Sequence, residues 1–313
     1  MPGVTVTGGA GFIGSNLVDE LLTQGHEVTV FDNLSEGSLD NLARWKGHKK
    51  LEVIVGDIKD LSSVKKAVAN KDWVFHLAAM SRIQPSIENP LLAFQQNIIG
   101  TANVLEASAK LGVKRVIYSA SSSAYGLQNP IPNVEDMPTD CLNAYSLSKK
   151  VGEELCELYT SMYGLSTVSL RYFNVYGPRH QEEGSYSTVI AIFRKQARLG
   201  KKLTIVGDGE QRRDFTFVGD VVRANMLAAF NREATGVINI GSGVNYSVNE
   251  VADLVGGQKE YIPARLGEAR VTLANVNKAY SSLGWRPTVS LKDGLSIIDS
   301  YEKKNPRGLI LTF

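Results

Sequence analysis

The segment TGGAGFIGSNL, residues 7–17, decides the fold of this 313-residue chain. It follows a β-prone apolar run at residues 4–7 and opens a stretch with the apolar spacing of a helix. The turn between them contains G-x-G-x-x-G, formed by Gly9, Gly11 and Gly14. Glycines at such a turn let a pyrophosphate approach the backbone amides and the positive end of the helix dipole. The segment therefore predicts a dinucleotide-binding turn between a strand and a helix.

The alternation of strand and helix continues through the first half of the chain. Strands are predicted at residues 4–7, 27–31, 52–55, 73–77, 114–119 and 167–171. Helices are predicted at residues 12–24, 61–69, 91–110 and 144–163. Strands joined by helices in this way need right-handed crossovers, so the expected fold class is α/β, a doubly wound parallel sheet of the Rossmann type.

The second half of the chain departs from this alternation. Beyond about Asn174 it is interrupted by proline and glycine, and one more apolar strand is predicted at residues 237–240. We expect a dinucleotide-binding domain of residues 1–173 plus about 216–242. A smaller, discontinuous C-terminal domain of residues 174–215 plus 243–313 is expected to bind the substrate.

Composition and charge exclude several classes of protein. The 34 basic and 32 acidic residues give a net charge of +2 with no basic run, so neither nucleic acid nor a membrane is an expected partner. No apolar run approaches about 18 residues, and the N-terminus leaves no room for a signal peptide. Two cysteines, Cys141 and Cys156, and four scattered histidines predict neither a disulfide framework nor a metal site. We therefore expect a cytoplasmic protein with free thiols.

Residues beyond the glycine turn favour NAD as the dinucleotide. The second predicted strand ends at Asp32, about 20 residues after the glycines, where a carboxylate accepts hydrogen bonds from an adenosine ribose and repels a 2′-phosphate. Asp57 follows the third strand, where it either lies near the adenine edge or is an ordinary solvated aspartate. Leu77, Ala78 and Ala79 follow the fourth strand and either leave room for the dinucleotide or serve helix packing.

A tyrosine and a lysine supply candidate chemistry. Tyr145 and Lys149 lie four residues apart in the helix predicted at 144–163 and so share one face. An ammonium beside a phenol stabilises the phenolate, lowers the pKa of the phenol and makes it a usable general base. The serine run at residues 121–123 follows the fifth strand, at the sheet edge where α/β folds bind ligands. It offers a hydroxyl to a substrate oxygen or merely caps the backbone.

Four motifs in order carry a family resemblance. GGAGFIGSNL, the serine run before Tyr125-Gly126, AYSLSK and RYFNVYGPR together resemble the extended short-chain dehydrogenase/reductase family and its NAD-dependent epimerase/dehydratase group. Over almost its whole length the chain is most similar to nucleotide-sugar 4-epimerases of the UDP-glucose and UDP-N-acetylglucosamine type. The resemblance implies bound NAD, with Tyr145 as base, Lys149 on the nicotinamide ribose, and Ser121 as the hydroxyl on the sugar.

The resemblance also assigns binding residues. The implied NAD contacts are Gly8, Gly11, Phe12, Ile13, Gly14, Asp32, Asn33, Asp57, Ile58, Leu77, Ala78, Ala79, Tyr145, Lys149 and Tyr172. The implied UDP-sugar contacts are Ser81, Ser121, Ser123, Tyr145, Asn174, Arg213, Arg265, Glu268 and Thr272. Thr272 is small where a bulky aromatic residue would close the pocket beside C2. Turnover of UDP-N-acetylglucosamine and UDP-N-acetylgalactosamine is therefore expected, with UDP-glucose and UDP-galactose as further candidates.

Other activities stay open to different degrees. Relatives that dehydrate the sugar carry Asp-Glu directly after the catalytic hydroxyl, and decarboxylases carry a glutamate at the second position, whereas this chain has Ser122 and Ser123 there. A keto-sugar reductase of the same fold and a non-enzymatic NAD sensor remain alternatives. The resemblance also implies a homodimer through residues 91–110 and 144–163. The segment before Arg265 is shorter than is usual in this group.

Overall fold

A seven-stranded parallel sheet forms the centre of the computed structural model, which describes residues 1–182, 188–263 and 270–305. Its strands are β1 (Gly3–Thr7), β2 (Glu27–Asp32), β3 (Leu51–Val55), β4 (Trp73–His76), β5 (Arg115–Ser121), β6 (Thr167–Tyr172) and β11 (Gly236–Ile240). They lie in the order β11-β6-β5-β4-β1-β2-β3, and every neighbouring pair is parallel. The predicted doubly wound α/β fold is therefore confirmed.

Helices cover both faces of this sheet and also build the smaller lobe. They are α1 (Phe12–Thr23), α2 (Leu61–Val68), α3 (Ile83–Glu88), α4 (Pro90–Phe94), α5 (Gly100–Lys110), α6 (Ala144–Tyr163), α7 (Val189–Arg198), α8 (Val218–Phe230), α9 (Val248–Val255), α10 (Asn277–Leu283) and α11 (Leu291–Lys304). One apolar core joins α1 and α8 to the sheet through residues such as Leu17 and Val221. A second core joins α2, α5 and α6 to the other face through Val104 and Cys156.

The helix predicted at residues 91–110 is a composite. Asn89 caps its start, because the Asn89 side chain accepts a hydrogen bond from the Leu92 amide at 3.1 Å, and Pro90 occupies the first helical position. A π-helical turn, Gln95–Ile99, then separates α4 from α5. Such turns arise where a residue is inserted into a helix, and they are frequent at functional sites.

Helix α6 has well-defined ends. Asn143 and Ser146 form a capping box, with the Ser146 amide donating to Asn143 Oδ1 at 2.9 Å and the Asn143 amide donating to Ser146 Oγ at 3.2 Å. Gly164 ends the helix in the left-handed conformation, at φ +68°. The capping box therefore fixes where the first turn of α6, which carries Tyr145, begins.

Short strand pairs build the smaller lobe. The parallel pair is β8 (Leu203–Val206) with β13 (Lys259–Ile262), and the antiparallel pair is β9 (Arg212–Asp214) with β12 (Asn245–Ser247). A third pair, β7 (Val175–Tyr176) with β10 (Thr216–Phe217), joins this lobe to α8. The chain then returns to the main sheet as β11, where the apolar strand at residues 237–240 was predicted. The exact domain limits given above stay a prediction.

Within the described ranges, none of the helices combines the length and the apolar character needed to cross a membrane.

Candidate functional site

A cavity of about 880 Å³ lies between the two lobes, at the carboxyl ends of the parallel strands. Most of the predicted site residues line it: Gly8, Gly11, Phe12, Ile13, Gly14, Asp32, Asn33, Ile58, Leu77, Ala78, Ala79, Ser81, Ser121, Ser123, Tyr145, Lys149, Tyr172, Asn174, Arg213 and Thr272. Arg265 and Glu268 lie outside the described residues. The fold therefore brings into one cavity residues that are up to 264 positions apart in the sequence, from Gly8 to Thr272.

The glycine turn at the end of β1 allows three backbone segments to meet. Gly8 has φ +70°, and a β-carbon there would lie 2.8 Å from the Ala78 nitrogen. A β-carbon on Gly14 would collide with the Gly8 carbonyl oxygen. Gly11 stands at the N-cap of α1, where the first-turn amides have no partner within the helix. The turn is thus a glycine cradle open to an anion such as a pyrophosphate.

Asp32 presents a fixed carboxylate at the end of β2. Its two oxygens accept hydrogen bonds from the Ala10 amide and the Leu34 amide, each at 2.9 Å. The side chain is 8% exposed and lines the cavity, so it keeps limited access to a ligand. This geometry suits a ribose diol and would repel a phosphate in the same place.

Asp57 does not belong to the cavity wall, which Gly56 and Ile58 form instead. The Asp57 carboxylate accepts hydrogen bonds from the Lys59 amide at 2.9 Å and from the Asn33 side chain at 3.2 Å. Burial would raise its pKa, but these bonds and the Lys59 charge outweigh burial and hold the pKa below its ordinary value. Asp57 thus accepts a hydrogen bond from Asn33, which does line the cavity, and a contact between Asp57 and the adenine edge stays a prediction.

Tyr145 is half-buried in the first turn of α6, and its phenol has a raised pKa. Burial is the main cause, while an interaction with the Ser121 hydroxyl and the charge of Arg82 act in the opposite direction. The assistance that Lys149 is expected to give to the Tyr145 phenol stays a prediction. The ammonium nitrogen of Lys149 lies 4.3 Å from the centre of the Tyr118 ring.

Lys149 itself is buried, with 4% of its surface exposed. Burial disfavours the ammonium form and lowers the pKa of Lys149 to about 7, although Cys156 and Glu153 nearby favour the charge. At neutral pH its charge is therefore only partly present.

The serine run forms a tight turn around one hydroxyl. Ser121 ends β5, and its Oγ accepts hydrogen bonds from the Ser123 amide at 3.2 Å and from the Ser123 hydroxyl at 2.9 Å. With its oxygen engaged in this way, Ser121 retains its own proton for the Tyr145 phenol or for a ligand. The Ser121 hydroxyl therefore caps the turn and also lines the cavity, while its contact with a substrate oxygen stays a prediction.

On the other side of the cavity, Asn174 and Thr272 are joined directly. The side-chain amide of Asn174 donates to Thr272 Oγ1 at 3.2 Å and to the Asp214 backbone carbonyl at 2.8 Å. Thr272 Oγ1 also accepts from the Asp214 amide at 3.2 Å, so its hydroxyl is occupied and its small side chain leaves the cavity open. Arg213 lines the same wall.

Asn97, a residue that sequence reasoning missed, lies in the π-helical turn and is 1% exposed. Its side chain accepts from the Met80 amide at 2.8 Å and donates to the Met80 carbonyl at 3.0 Å and to Ser148 Oγ at 2.9 Å. The Ser148 hydroxyl in turn donates to the Tyr145 carbonyl at 2.8 Å. Asn97 thus ties the loop after β4 to α6. The only sequence signal is a polar residue on an otherwise apolar helix face.

His180 and Arg82 were missed as well. The His180 ring stacks on Phe12 with the ring centres 4.5 Å apart, and His180 Nε2 lies 3.4 Å from Arg82 Nη2. These residues come from three segments distant in sequence, so no local pattern indicates that they meet. Within the described part of the chain, no group of three or more His, Cys, Asp and Glu side chains is arranged to hold a metal ion.

Comparison with known proteins assigns the family. The sequence model of the NAD dependent epimerase/dehydratase family matches residues 4–241 of this chain. This chain belongs to that family. It is 37% identical over 312 residues to a putative UDP-glucose 4-epimerase of Methanocaldococcus jannaschii, covering 97% of this chain and 99% of the relative. The resemblance stated from the four motifs is confirmed.

Two solved structures from the same group superpose closely. The UDP-glucose 4-epimerase of Thermotoga maritima, solved with UDP-glucose, has a TM-score of 0.91 and 37% identity, covering 97% of this chain and all of that one, 100%. A UDP-N-acetylglucosamine 4-epimerase of Methanobrevibacter ruminantium M1, in complex with UDP-N-acetylmuramic acid, has a TM-score of 0.90 and 33% identity over 96% of this chain and 99% of its own.

The cavity fits NAD, the cofactor named in the description of this family. The glycine cradle at Gly8 and Gly14 suits the pyrophosphate, and Asp32 suits the adenosine ribose. NAD, predicted from the same residues, is confirmed as the family cofactor. Tyr145 and Lys149, predicted to hold its nicotinamide end, line the same cavity as Asp32, and their contact with the nicotinamide stays a prediction.

Gly14→Ala should weaken NAD binding, because the new methyl group would collide with the Gly8 carbonyl oxygen and displace the glycine cradle. We expect at least a ~10-fold loss of affinity in isothermal titration calorimetry with NAD, a change of about 1.4 kcal/mol. Gly3→Ala is the matched control, since a β-carbon there meets its nearest atoms at 3.6 Å. Unchanged NAD affinity in Gly14→Ala, with circular dichroism like that of the parent, would contradict the placement of the pyrophosphate.

Proposed function

We propose that this chain is an NAD-dependent UDP-sugar 4-epimerase that interconverts UDP-N-acetylglucosamine and UDP-N-acetylgalactosamine and also accepts UDP-glucose and UDP-galactose. One observation carries the proposal: Ser121 and Tyr145 line the same cavity as the glycine cradle, and the small Thr272 lies in the opposite wall. The UDP-glucose and UDP-N-acetylglucosamine 4-epimerases described above support the class of reaction.

In this reaction Tyr145 takes the proton of the sugar 4-hydroxyl while Ser121 donates a hydrogen bond to the same oxygen. Bound NAD would supply the reversible hydride acceptor that the chemistry at C4 needs. A 4-keto sugar forms, turns about its diphosphate bonds and presents its other face. Tyr145 then returns the proton to the new 4-hydroxyl, so the configuration at C4 is inverted and nothing is consumed.

The diphosphate needs positive charge and hydrogen-bond donors on the opposite wall. Arg213 supplies a guanidinium there, and Asn174 is held rigidly by its bonds to Asp214 and Thr272. Arg265 and Glu268 are proposed to complete the nucleotide contacts from the segment outside the described residues. When the diphosphate is bound through its negative charges, the hexose stays free to rotate about the diphosphate bonds, as the reaction requires.

Carboxylates are scarce where a dehydratase or decarboxylase would need them. Among the described residues that line the cavity, the only carboxylates are Asp32 and Glu36, which both belong to the segment at and after β2. Ser122 and Ser123 follow Ser121 at the reaction end. Removal of a C5 proton needs a base at that end, so epimerisation fits these residues better.

Purified protein incubated with UDP-N-acetylglucosamine and no added cofactor should form UDP-N-acetylgalactosamine, followed by NMR or chromatography. Tyr145→Phe should lower turnover by about 10²- to 10⁴-fold, because the general base is lost. Tyr280→Phe, at an exposed tyrosine of α10, is the matched control. A strict requirement for added NAD(P)H would identify a keto-sugar reductase instead, and NAD binding without turnover of any UDP-sugar would identify a sensor.

Thr272→Tyr should narrow the substrate range. The larger side chain fills the wall beside the proposed N-acetyl group, so kcat/KM for UDP-N-acetylglucosamine should fall at least ~10-fold relative to that for UDP-glucose. Thr272→Ser keeps the hydroxyl that accepts from Asn174 and Asp214 and should keep the parent ratio. An unchanged ratio in Thr272→Tyr would remove Thr272 as the determinant of sugar size.

We also propose that two copies of the chain associate through residues 91–110 and α6. Both helical segments expose apolar side chains, with Leu91 65% exposed on the first and Leu158 48% and Met162 68% exposed on α6. Leu147, also exposed, lies eleven residues before Leu158 and so on the same face of α6. A second copy that presents the same two segments would cover these faces in a four-helix arrangement.

Leu158→Glu should therefore dissociate the dimer, because a charge would enter the proposed apolar interface. Light scattering after size-exclusion chromatography should report the mass of two chains for the parent and of one chain for the variant. Leu254→Glu, on the exposed face of α9, should remain dimeric. A monomeric parent protein would rule out this interface.

A further inference from the structure

The ammonium group of Lys149 lies over an aromatic ring. Lys149 is 4% exposed, and its Nζ is 4.3 Å from the centre of the Tyr118 ring. In the part of the chain that the structure describes, no carboxylate forms an ion pair with this Nζ and no acceptor takes a hydrogen bond from it. Burial of a charge is costly unless a neighbouring group attracts it. The ring therefore has a part in keeping the ammonium where it is.

Tyr118 is itself held from several directions. It pairs with His76 in the register of β5 and β4, and the two ring centres are 5.7 Å apart. The Tyr118 hydroxyl donates to the backbone carbonyl of Lys149 at 3.3 Å, and a β-carbon on Gly152 would collide with the same hydroxyl. Tyr118 is 1% exposed. The ring face under the ammonium therefore has a fixed position relative to α6.

His76 of β4, next to Tyr118, carries no charge near neutral pH. Its Nδ1 lies 2.8 Å from the Thr7 hydroxyl oxygen and its Nε2 lies 3.0 Å from the Thr101 hydroxyl oxygen, so both nitrogens are engaged. Burial, together with the charge of Lys149, lowers the pKa of His76 to about 3. This imidazole therefore does not repel the ammonium.

The acidic groups of α6 near Lys149 are engaged elsewhere or neutral. Glu153 accepts hydrogen bonds from Arg171 through both carboxylate oxygens, each at 2.7 Å. Cys156 stays a thiol, because burial raises its pKa to about 12. Burial opposes the charge of Lys149, while these two groups favour it without a direct bond. Within the described residues, the direct contact that favours the ammonium is therefore the Tyr118 ring.

A ring suits this position better than a carboxylate would. The face of an aromatic ring attracts a cation through its quadrupole and takes up no conventional hydrogen bond. The N–H donors of the ammonium thus stay available to a ligand in the cavity, which Lys149 and Tyr145 both line. A carboxylate in the same place would occupy some of those donors and neutralise the charge.

We propose that Tyr118 is a positioning residue of the reaction centre, whose ring face holds the Lys149 ammonium in its charged form at the cavity wall, with its N–H donors available to the nicotinamide ribose of NAD. The effect on turnover rests on the proposed epimerase function, whereas the contact between ring and ammonium does not. The role belongs to the ring electrons rather than to the hydroxyl.

The test changes the charge distribution of the ring at nearly constant size. Tyr118→Phe keeps the ring face, a trifluorinated phenylalanine incorporated at the same position weakens its negative potential, and Tyr118→Leu removes the ring. Tyr280→Leu is the matched control, because it removes an exposed ring outside the cavity whose centre lies 3.9 Å from the Arg286 guanidinium.

Three quantities are measured on each protein. Protein labelled with ¹³Cε-lysine is titrated by NMR without cofactor, and the Lys149 resonance is assigned by its loss in Lys149→Arg. NAD affinity is measured by isothermal titration calorimetry near neutral pH. The dependence of kcat and KM on pH is followed with a UDP-sugar.

The trifluorinated ring should lower the pH at which Lys149 titrates by about one unit, which is about a tenfold change in the protonation equilibrium. NAD affinity should fall at least ~3-fold with it. Activity should be lost at correspondingly lower pH, while KM for the UDP-sugar changes little. Tyr118→Leu should show the same changes, and Tyr118→Phe and Tyr280→Leu should match the parent.

An unchanged Lys149 titration with the trifluorinated ring, in a protein whose circular dichroism matches that of the parent, would overturn the proposal. So would equal changes in Tyr118→Phe, which would assign the effect to the hydroxyl. If Tyr118→Leu does not fold, the trifluorinated ring still decides. If the parent protein epimerises no UDP-sugar, the proposed function fails, yet the NMR titration and the NAD affinity still show whether the ring supports the charge. The two failures are therefore distinguishable.

Discussion

The close approach of Gly14 to the carbonyl oxygen of Gly8 is the constraint on which the rest of the structure depends. It lets α1 start directly above the end of β1, and the positive φ of Gly8 lets the same turn press against Ala78 after β4. Three backbone segments thus meet without intervening side chains at the centre of the sheet. This turn lines the cavity, leaves the first amides of α1 without helical partners, and contacts Asp32, which accepts from the Ala10 amide.

A second set of contacts holds the part of the cavity where Ser121 and Tyr145 lie. Gly152 lets α6 lie against the phenol of Tyr118, and the buried pair of Arg171 with Glu153, bonded at 2.7 Å through two oxygens, joins β6 to the same helix. Arg171 also stacks over Tyr125, 4.6 Å from its ring centre, which anchors the turn that follows Ser121. The helix that carries Tyr145 and the turn that carries Ser121 are therefore held by one buried network, whose members are costly to expose or to leave unpaired.

Residue spacing predicts which side chains share a helix face, but it does not predict their pKa values. Four residues of helix place Lys149 on the same face as Tyr145, and that much is local geometry. The effect on the phenol depends on the surroundings of both groups: burial raises the pKa of Tyr145 and lowers that of Lys149, and each shift opposes the assistance expected from the pair. Arg82 and Ser121, which come from two other segments, supply the opposing influence. Asp57 is a similar case. Its carboxylate, expected at the cofactor, accepts hydrogen bonds from the Lys59 amide and the Asn33 side chain.

The sequence by itself determined the α/β class, the family, the glycine cradle with Asp32, and the identities of Ser121, Tyr145 and Lys149, because strand and helix periodicity, turn glycines and motif order are local properties of the chain. Tertiary structure alone decided that Asn97 binds the loop after β4 to α6, that His180 stacks on Phe12, and that Thr272 joins Asn174. Those contacts link segments separated by many tens of residues, and their strength depends on burial, which no local pattern specifies. The charge state of each group is decided at the same level, since desolvation is a property of the packed cavity rather than of any one segment.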